Sequence, residues 1–528
     1  MADYHGAECT VAHVLRDQLK RDPDRIWIMT EEDRYSVAEM DRRSSMLARG
    51  LSHLGIGAED TVIVMLPNSI EFIDCWLALA RMRAIQVPVN TAYFGLMLEH
   101  VVTDSLARCI IIHEDYVPAL TEILDKPGIL LETIVIVGKS GLNVQGRSPL
   151  RSISYDCVLE HAEAQQAQEF AEPAYNEIAS IMYTSGTTGA SKGVMVTHAH
   201  SYRYAAGDNS LKLAPGDIYY APLPLFHVAG QWAIMYGCLI RGATAVLKPK
   251  FSPKEFWNDV EHFGVTATFM LGAMGSMLFR TTPDTKRTTL KKVLMCPLIP
   301  EYQQFCEKFG VQVCTSYAST EVNGVISSDF NPPNAATCGK VRAEWFEVKL
   351  VDEFDEEVPV GTVGELVVRP KNPWIVMAGY WNKPAETQAA WRNLWLHSGD
   401  LLRRDEQGYY YFVDRLKDSI RRRGENISSV EVENAINSIP EILESAVVPV
   451  SSELTEQEVL ACIVFRPGQS LPLEVLHAQI VKLLPKFMVP RFLAIVDAVP
   501  KTPTGKPQKF KLRDEIGPGQ MWDSLPGG

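Results

Sequence analysis

Three shortages in this chain each close off a class of function. No C-x-x-C pair occurs among its 10 cysteines, which are scattered from Cys9 to Cys462. A zinc or iron–sulfur site has little support, and the thiols read as buried and free in a reducing compartment. No apolar run approaches the roughly 18 residues of a membrane span. Met1 to Asp22 mixes charges along its length and has no signal-peptide core. Positive charge is also scarce: 51 Lys and Arg face 64 Asp and Glu, for a net charge of −13. That balance argues against nucleic acid and against an anionic membrane surface as partners. A cytoplasmic protein without a transmembrane segment is expected.

What remains is ordinary for a globular chain: 528 residues, 46% hydrophobic and 22% charged. At about 150 residues per domain this suggests three or four structural units. Internal repeats are absent.

One stretch stands out. Tyr183 to Gly193 reads Y-T-S-G-T-T-G-A-S-K-G, between apolar runs at Ile178–Met182 and Val194–Val196. It holds Gly186, Gly189 and Gly193, the hydroxyls of Thr184, Ser185, Thr187, Thr188 and Ser191, and Lys192. Glycines let the backbone bend its N–H groups into an anion nest, and hydroxyls and a lysine add donors. The expected ligand is a polyphosphate; the bland alternative is a flexible loop. A Walker loop would open a helix after its lysine. Here Lys192 leads into Gly193 and a β-rich run, so the loop is expected between strands.

The rest alternates. Helical spacing marks residues 10–56 in two pieces, then come a strand at 61–66, a helix at 69–80, and strands at 84–89, 107–113 and 133–137. This pattern predicts α/β layers with helical crossovers. Residues 219–231, Y-Y-A-P-L-P-L-F-H-V-A-G-Q, look like a pocket wall, with His227 either a core histidine or functional. Residues 311–317 predict a strand running into Ala318-Ser319-Thr320-Glu321, and sheets place ligands at strand ends. From Phe346 the chain turns β-rich. The basic run from Asp414 to Gly424 marks a domain boundary, or is merely solvated. A small α+β unit follows, with helices at 429–438 and 473–484, strands at 445–450, 459–465 and 492–496, and a second glycine–lysine loop at 502–506.

Taken together, seven stretches resemble the adenylate-forming acyl-CoA synthetases, the superfamily of acyl-CoA ligases, adenylation domains and luciferases. They are 183–193, Y-A-S-T-E at 317–321, G-Y-W-N-K-P at 379–384, W-L-H-S-G-D at 395–400, D-R-L-K-D at 414–418, G-E-N-I at 424–427 and T-P-T-G-K at 502–506. The resemblance covers nearly the whole chain and is nearest to the crotonobetaine/carnitine–CoA ligase-like branch.

The resemblance implies an α/β fold: a large N-terminal adenylation domain, 1–416, of stacked α/β subdomains plus a β-rich subdomain, and a small mobile α+β C-terminal domain, 417–528, hinged near Lys417. It implies an ATP- and Mg²⁺-dependent ligase. A carboxylate displaces pyrophosphate from ATP to give an acyl-adenylate, and the thiol of coenzyme A then displaces AMP. By this match Thr184, Ser185, Gly186, Thr187, Thr188, Gly189 and Lys192 hold the phosphates. Tyr317 stacks on adenine, Asp400 takes the ribose hydroxyls, and Arg415 takes the ribose or phosphate edge. Thr320 meets the α-phosphate and Glu321 binds Mg²⁺. Lys506 sits between α-phosphate and carboxylate. His227, Ala318 and Cys296 border the acyl pocket, and Gly424 and Arg423 meet coenzyme A.

Departures from the family pattern are Ala318 for a glycine, Leu294-Met295-Cys296-Pro297 for Gly-Gly-Ala-Pro, and Pro507 after Lys506. The first two are expected to reshape the acyl pocket. Alternatives left open are another acceptor, such as a carrier-protein thiol or an amine, and a non-catalytic nucleotide-binding protein. A homodimer is allowed for, and the acid itself is not legible.

Overall fold

The computed structural model describes residues 6–138, 144, 150–163, 169–184, 191–207, 210–282, 288–416, 420–422, 425–427, 429–451, 457–484, 486, 488–501 and 507–524. Three sheets build the large N-terminal part. The first has eight strands in the order Gly379–Tyr380, Lys192–Thr197, Ile178–Thr184, Ile85–Pro88, Thr61–Met65, Cys109–His113, Thr133–Val137 and Arg151–Ser154. From Ile178–Thr184 onward its neighbours run parallel. Parallel sheets are covered on both faces, which explains why its central strands Thr61–Met65, Cys109–His113 and Thr133–Val137 are apolar runs.

The second sheet has seven strands: Gln312–Cys314, Lys292–Cys296, Ala267–Leu271, Ile218–Ala221, Thr244–Leu247, Ile26–Met29 and Arg34–Ser36. Helix Ile70–Met82 is packed into the core that these sheets share. It is apolar almost all round, as a helix buried on every side must be. Its one buried acid, Asp74, is paired with Arg43 at 2.6 Å and accepts from the Tyr155 hydroxyl at 3.0 Å. Burial pushes the Asp74 carboxyl up to about 6 against the pull of Arg43.

The third sheet is antiparallel throughout: Ser316–Ser319, Asn323–Ser327, Thr337–Val341, Tyr410–Arg415, Leu396–Arg404, Val363–Pro370 and Phe346–Val351. The small C-terminal part carries helices Ser429–Asn437 and Leu473–Leu483 against a four-stranded sheet of Ile442–Ser451, Gln457–Phe465, Phe492–Ile495 and Trp522–Asp523. It has apolar clusters of its own on both faces of that sheet.

Four expectations need correction. Residues 10–56 are not helix alone, because strands Ile26–Met29 and Arg34–Ser36 separate Val11–Arg21 from Val37–His53. The polar tip of that hairpin hid two short strands from a search for helical spacing. Residues 219–231 are partly regular, ending in a π-helix over Ala229–Tyr236. The strand foreseen at 311–317 is two strands in two different sheets, parting at Thr315. The β-rich part consequently begins at Ser316, not at Phe346.

Helix His198–Gly207 is sunk between these layers. Burial pushes the His198 ring down to about 4 and the His200 ring down to about 3. Among the described residues neither ring nitrogen of His200 has a hydrogen-bond partner. Both rings are therefore neutral in the fold, while an unfolded histidine takes up a proton below about 6.5. Stability from this source is complete above that pH and is lost as pH falls through it. The His200→Phe variant should lose ~2 kcal/mol less than the parent chain between pH 7 and pH 5. Urea midpoints at the two pH values check this, and parallel curves would contradict it.

Candidate active site

The 183–193 stretch is the mouth of a β-hairpin. Strands Ile178–Thr184 and Lys192–Thr197 pair antiparallel, with Thr184 opposite Lys192 and Tyr183 opposite Gly193. The loop thus lies between strands, as expected. Ser185, Gly186, Thr187, Thr188 and Gly189 lie outside the described residues. Gly193 is where a side chain would not fit: a Cβ there would stand 2.6 Å from Ile181 Cγ2. Gly379–Tyr380 pairs with Met195 and Val194 on the hairpin's open edge.

That pairing delivers Tyr380 to the mouth. Its ring lies 4.4 Å from Lys192 Nζ, a cation–π contact. Its hydroxyl stands 3.5 Å from Glu321 Oε1, and Thr184 Oγ1 stands 3.5 Å from the same oxygen. Glu321 occupies the turn between Ser316–Ser319 and Asn323–Ser327, where the Ser319 hydroxyl accepts from the Glu321 and Val322 N–H groups. Burial, with Glu321 beside it, raises the Tyr380 hydroxyl pKa. The structure therefore brings Thr184, Lys192 and Glu321 together around a tyrosine that sequence reasoning quoted only within a matched stretch.

A second group forms beside it. The Tyr317 hydroxyl donates to Asp400 Oδ2 at 2.6 Å. Arg415 Nε stands 3.7 Å from Asp400 Oδ1, and the two residues face each other across neighbouring strands. Burial and then Asp400 raise the Tyr317 hydroxyl well above its ordinary value. Gly399, at φ +71°, needs the left-handed backbone that suits glycine. Its N–H donates to Glu365 Oε1 at 3.0 Å, and its carbonyl accepts from the Leu416 N–H. Burial would raise the Glu365 carboxyl, but His397, the Gly399 N–H and Arg392 hold it below its ordinary value. Glu365 so anchors the turn that presents Asp400.

The acyl-side residues are placed as follows. Ala318 is exposed, Thr320 is buried and Cys296 is half-buried. The Thr315 hydroxyl stands 3.9 Å from Cys296 Sγ, which puts the end of the Lys292–Cys296 strand beside the Tyr317–Ala318 crossover. His227 is held locally: its N–H donates to Pro224, and Nδ1 accepts from the Ala229 N–H at 3.4 Å.

Lys417, Arg423, Gly424 and Lys506 lie outside the described residues. Across that junction, Asp414 Oδ2 accepts from both the N–H and the hydroxyl of Ser429, at 2.6 Å each. Lys509 donates to Ser429 and pairs with Glu433 at 2.7 Å. Burial raises the Glu433 carboxyl, and Lys509 offsets part of the rise.

The AMP-binding enzyme family matches residues 15–381, and the AMP-binding enzyme C-terminal domain matches 431–506. The chain belongs to the AMP-binding enzyme family. Among members of this family, the crotonobetaine/carnitine–CoA ligase of Citrobacter koseri is 30% identical over 492 residues, spanning 91% of this chain and 93% of that protein. The crystal structure of the anthranilate–CoA ligase AuaEII with anthranoyl-AMP superposes with a TM-score of 0.83 at 23% identity, covering 97% of this chain and 98% of that one. ATP-bound MatB from Rhodopseudomonas palustris also gives 0.83, at 24% identity, covering 95% and 98%. These likenesses show that the family's fold of a large N-terminal and a small C-terminal domain is shared. The activity expected from the sequence holds: the chain is an AMP-forming acyl-CoA ligase, an acid–thiol ligase using ATP and coenzyme A. Among the described residues no helix is long and apolar enough to cross a membrane.

Proposed function

We propose that the two clusters are the two ends of one ATP site, with Thr184, Lys192 and Glu321 at the phosphates and Tyr317, Asp400 and Arg415 at the nucleoside. The observation that carries this is that Glu321, on the turn just after the Tyr317 strand, meets Thr184 and Tyr380 of the first sheet. The phosphate hairpin belongs to the first sheet, while Tyr317, Glu321, Asp400 and Arg415 belong to the third or its turns. A cationic end and an end with a buried carboxylate match a triphosphate and a pair of ribose hydroxyls.

Among the described residues no group of three or more His, Cys, Asp or Glu is arranged to hold a metal ion. One carboxylate among hydroxyls still fits Mg²⁺, which keeps waters and takes its remaining ligands from substrate phosphates. Glu321 would hold it, and the ion would supply positive charge against the triphosphate. Lys506 approaches the acyl carboxylate and α-phosphate for adenylation. The domain boundary lies at 416/417 with Lys417 as pivot, and Gly424 and Arg423 then face coenzyme A. The Asp414–Ser429 bonds bridge that pivot and support a defined docking of the small domain rather than a loose tether. Ala318, Cys296 and His227 border the acyl group. We also infer a cytoplasmic location, supported by ten cysteines of which none forms a disulfide.

The substrate is a small-molecule carboxylic acid. A quaternary ammonium wants an open aromatic face. Three rings that could offer one, Trp232, Tyr236 and Trp345, are engaged: Arg203 lies 3.4 Å from the centre of the Trp345 ring, Trp232 packs on His200 and Tyr204, and Tyr236 packs on Trp76 and Tyr202. These three rings therefore do not mark a betaine site. A panel of acids, crotonobetaine included, read by AMP release with and without coenzyme A, tests both points. Release that multiplies with one acid of the panel and coenzyme A is expected. Release driven equally by an amine without coenzyme A would overturn the ligase reading.

A further inference from the structure

A helix that carries no family motif grips the phosphate hairpin on both strands. Helix Gly95–Asp104 lies across the hairpin mouth. His100 Nε2 stands 2.7 Å from the Ser191 carbonyl oxygen. A carbonyl only accepts, so the proton is on Nε2 and the ring donates. One turn later, Asp104 Oδ2 accepts from the Tyr183 hydroxyl at 2.7 Å. Residues four apart share one helix face, so a single face takes hold of both strands. The His100 ring also meets the Tyr183 ring edge-on, at 6.1 Å and 89°.

The grip reaches the third strand as well. The Asp104 carbonyl accepts from Trp381 Nε1 and from Asn382 Nδ2, at 3.0 Å each, and Lys383 Nζ stands 3.7 Å from the Asp104 carboxylate. Trp381 follows Tyr380, whose ring carries Lys192, and its N–H donates to Gly193 at 2.7 Å. Ser191 immediately precedes Lys192. The backbone entering the lysine is therefore tied to His100, and the backbone leaving toward the loop is tied to Asp104 through Tyr183.

We propose that His100 and Asp104 are positioning residues that preorganise the hairpin for the β- and γ-phosphates of ATP. The inference rests on the hairpin being the phosphate site. The energetic logic is preorganisation: a loop already held in its binding shape loses less freedom when the ligand arrives. Neither residue touches the nucleotide in this account, and both act through Ser191 and Tyr183.

The discriminating ligands are Mg·ATP and AMP, because AMP lacks the phosphates that the hairpin would hold. Calorimetric titration of the full-length protein needs no knowledge of the acid. For His100→Leu, ATP affinity should fall about tenfold, the scale of one lost hydrogen bond. AMP affinity should stay within about twofold, since that ligand bypasses the hairpin. His100→Gln, whose amide can still donate to Ser191, should recover most of the ATP affinity. Tyr183→Phe should repeat the ATP-selective loss from the other strand, with the melting temperature tracking whether either variant is merely less folded.

Lys192→Ala serves as the control. A loss of ATP affinity in Lys192→Ala with none in His100→Leu would overturn the positioning role alone. No loss in either would overturn the phosphate reading together with it. Equal weakening of ATP and AMP, or failure of His100→Gln to differ from His100→Leu, would also overturn the proposal, since general damage to the fold predicts both.

Discussion

Lys506→Ala is expected to remove most adenylation while sparing the thioester step. Adenylation brings two anions together, a carboxylate and a triphosphate, and then adds charge at the α-phosphorus. A unit charge ~4 Å away contributes ~4 kcal/mol at an effective dielectric near 20. That corresponds to about three decades in rate. ATP–pyrophosphate exchange should therefore fall by about a thousandfold. Thioester formation from supplied acyl-adenylate should change by less than about threefold, because in the proposed sequence Lys506 has left the site by then. Equal loss in both half-reactions would sink the two-conformation account. It would leave the ligase assignment intact, which rests on the family match.

Glu321→Ala should be nearly as damaging, by a different route. Its Oε1 is 3.5 Å from both Thr184 Oγ1 and Tyr380 OH, so the carboxylate sits where hairpin and third sheet meet. Its loss should reduce kcat/KM for Mg·ATP by about a hundredfold, the scale of a lost metal-binding carboxylate. Glu321→Gln separates charge from contact. The amide can keep both hydroxyl neighbours, yet it is a far weaker Mg²⁺ ligand. If Glu321→Gln matches Glu321→Ala, and both need much more Mg²⁺ for half-maximal rate, the carboxylate acts through the ion. An unchanged rate at limiting Mg²⁺ would contradict that role.

The buried histidines, the acid panel and the His100 series probe smaller effects at three levels of the molecule. His200 tests the packed core, the panel tests the chemistry, and His100 tests how the scaffold shapes the site.

Much of the fold was legible because its signals are local. Apolar β-branched runs such as Thr133–Val137 became strands at the foreseen positions. Helix Ile70–Met82 and helix Leu473–Leu483 fell within a few residues of their expected bounds. What escaped was non-local. Nothing between residues 311 and 317 announces that Gln312–Cys314 closes a parallel sheet while Ser316–Ser319 opens an antiparallel one. Both halves are short and mixed in character, and what separates them is their partners. The Ile26–Met29 strand owes its place to pairing with Thr244–Leu247, more than 200 residues on.

The same division runs through the site. The hairpin Tyr183 to Gly193 declared itself from sequence, since a nest of glycines, hydroxyls and a lysine is a chemical statement made by neighbouring residues. Residue type and spacing sufficed to expect a polyphosphate ligand there, and the ordered set of motifs sufficed for the acyl-activating family. Tertiary structure alone decided which distant groups complete that stretch. Tyr380 reaches Lys192 by edge pairing with Val194. Glu365 holds the turn before Asp400. His100 and Asp104 hold the hairpin from a helix some ninety positions upstream of it. The physical reason is that a side chain's chemistry is written in its own residue, whereas its partners are set by sheet order and packing, which depend on the whole chain at once.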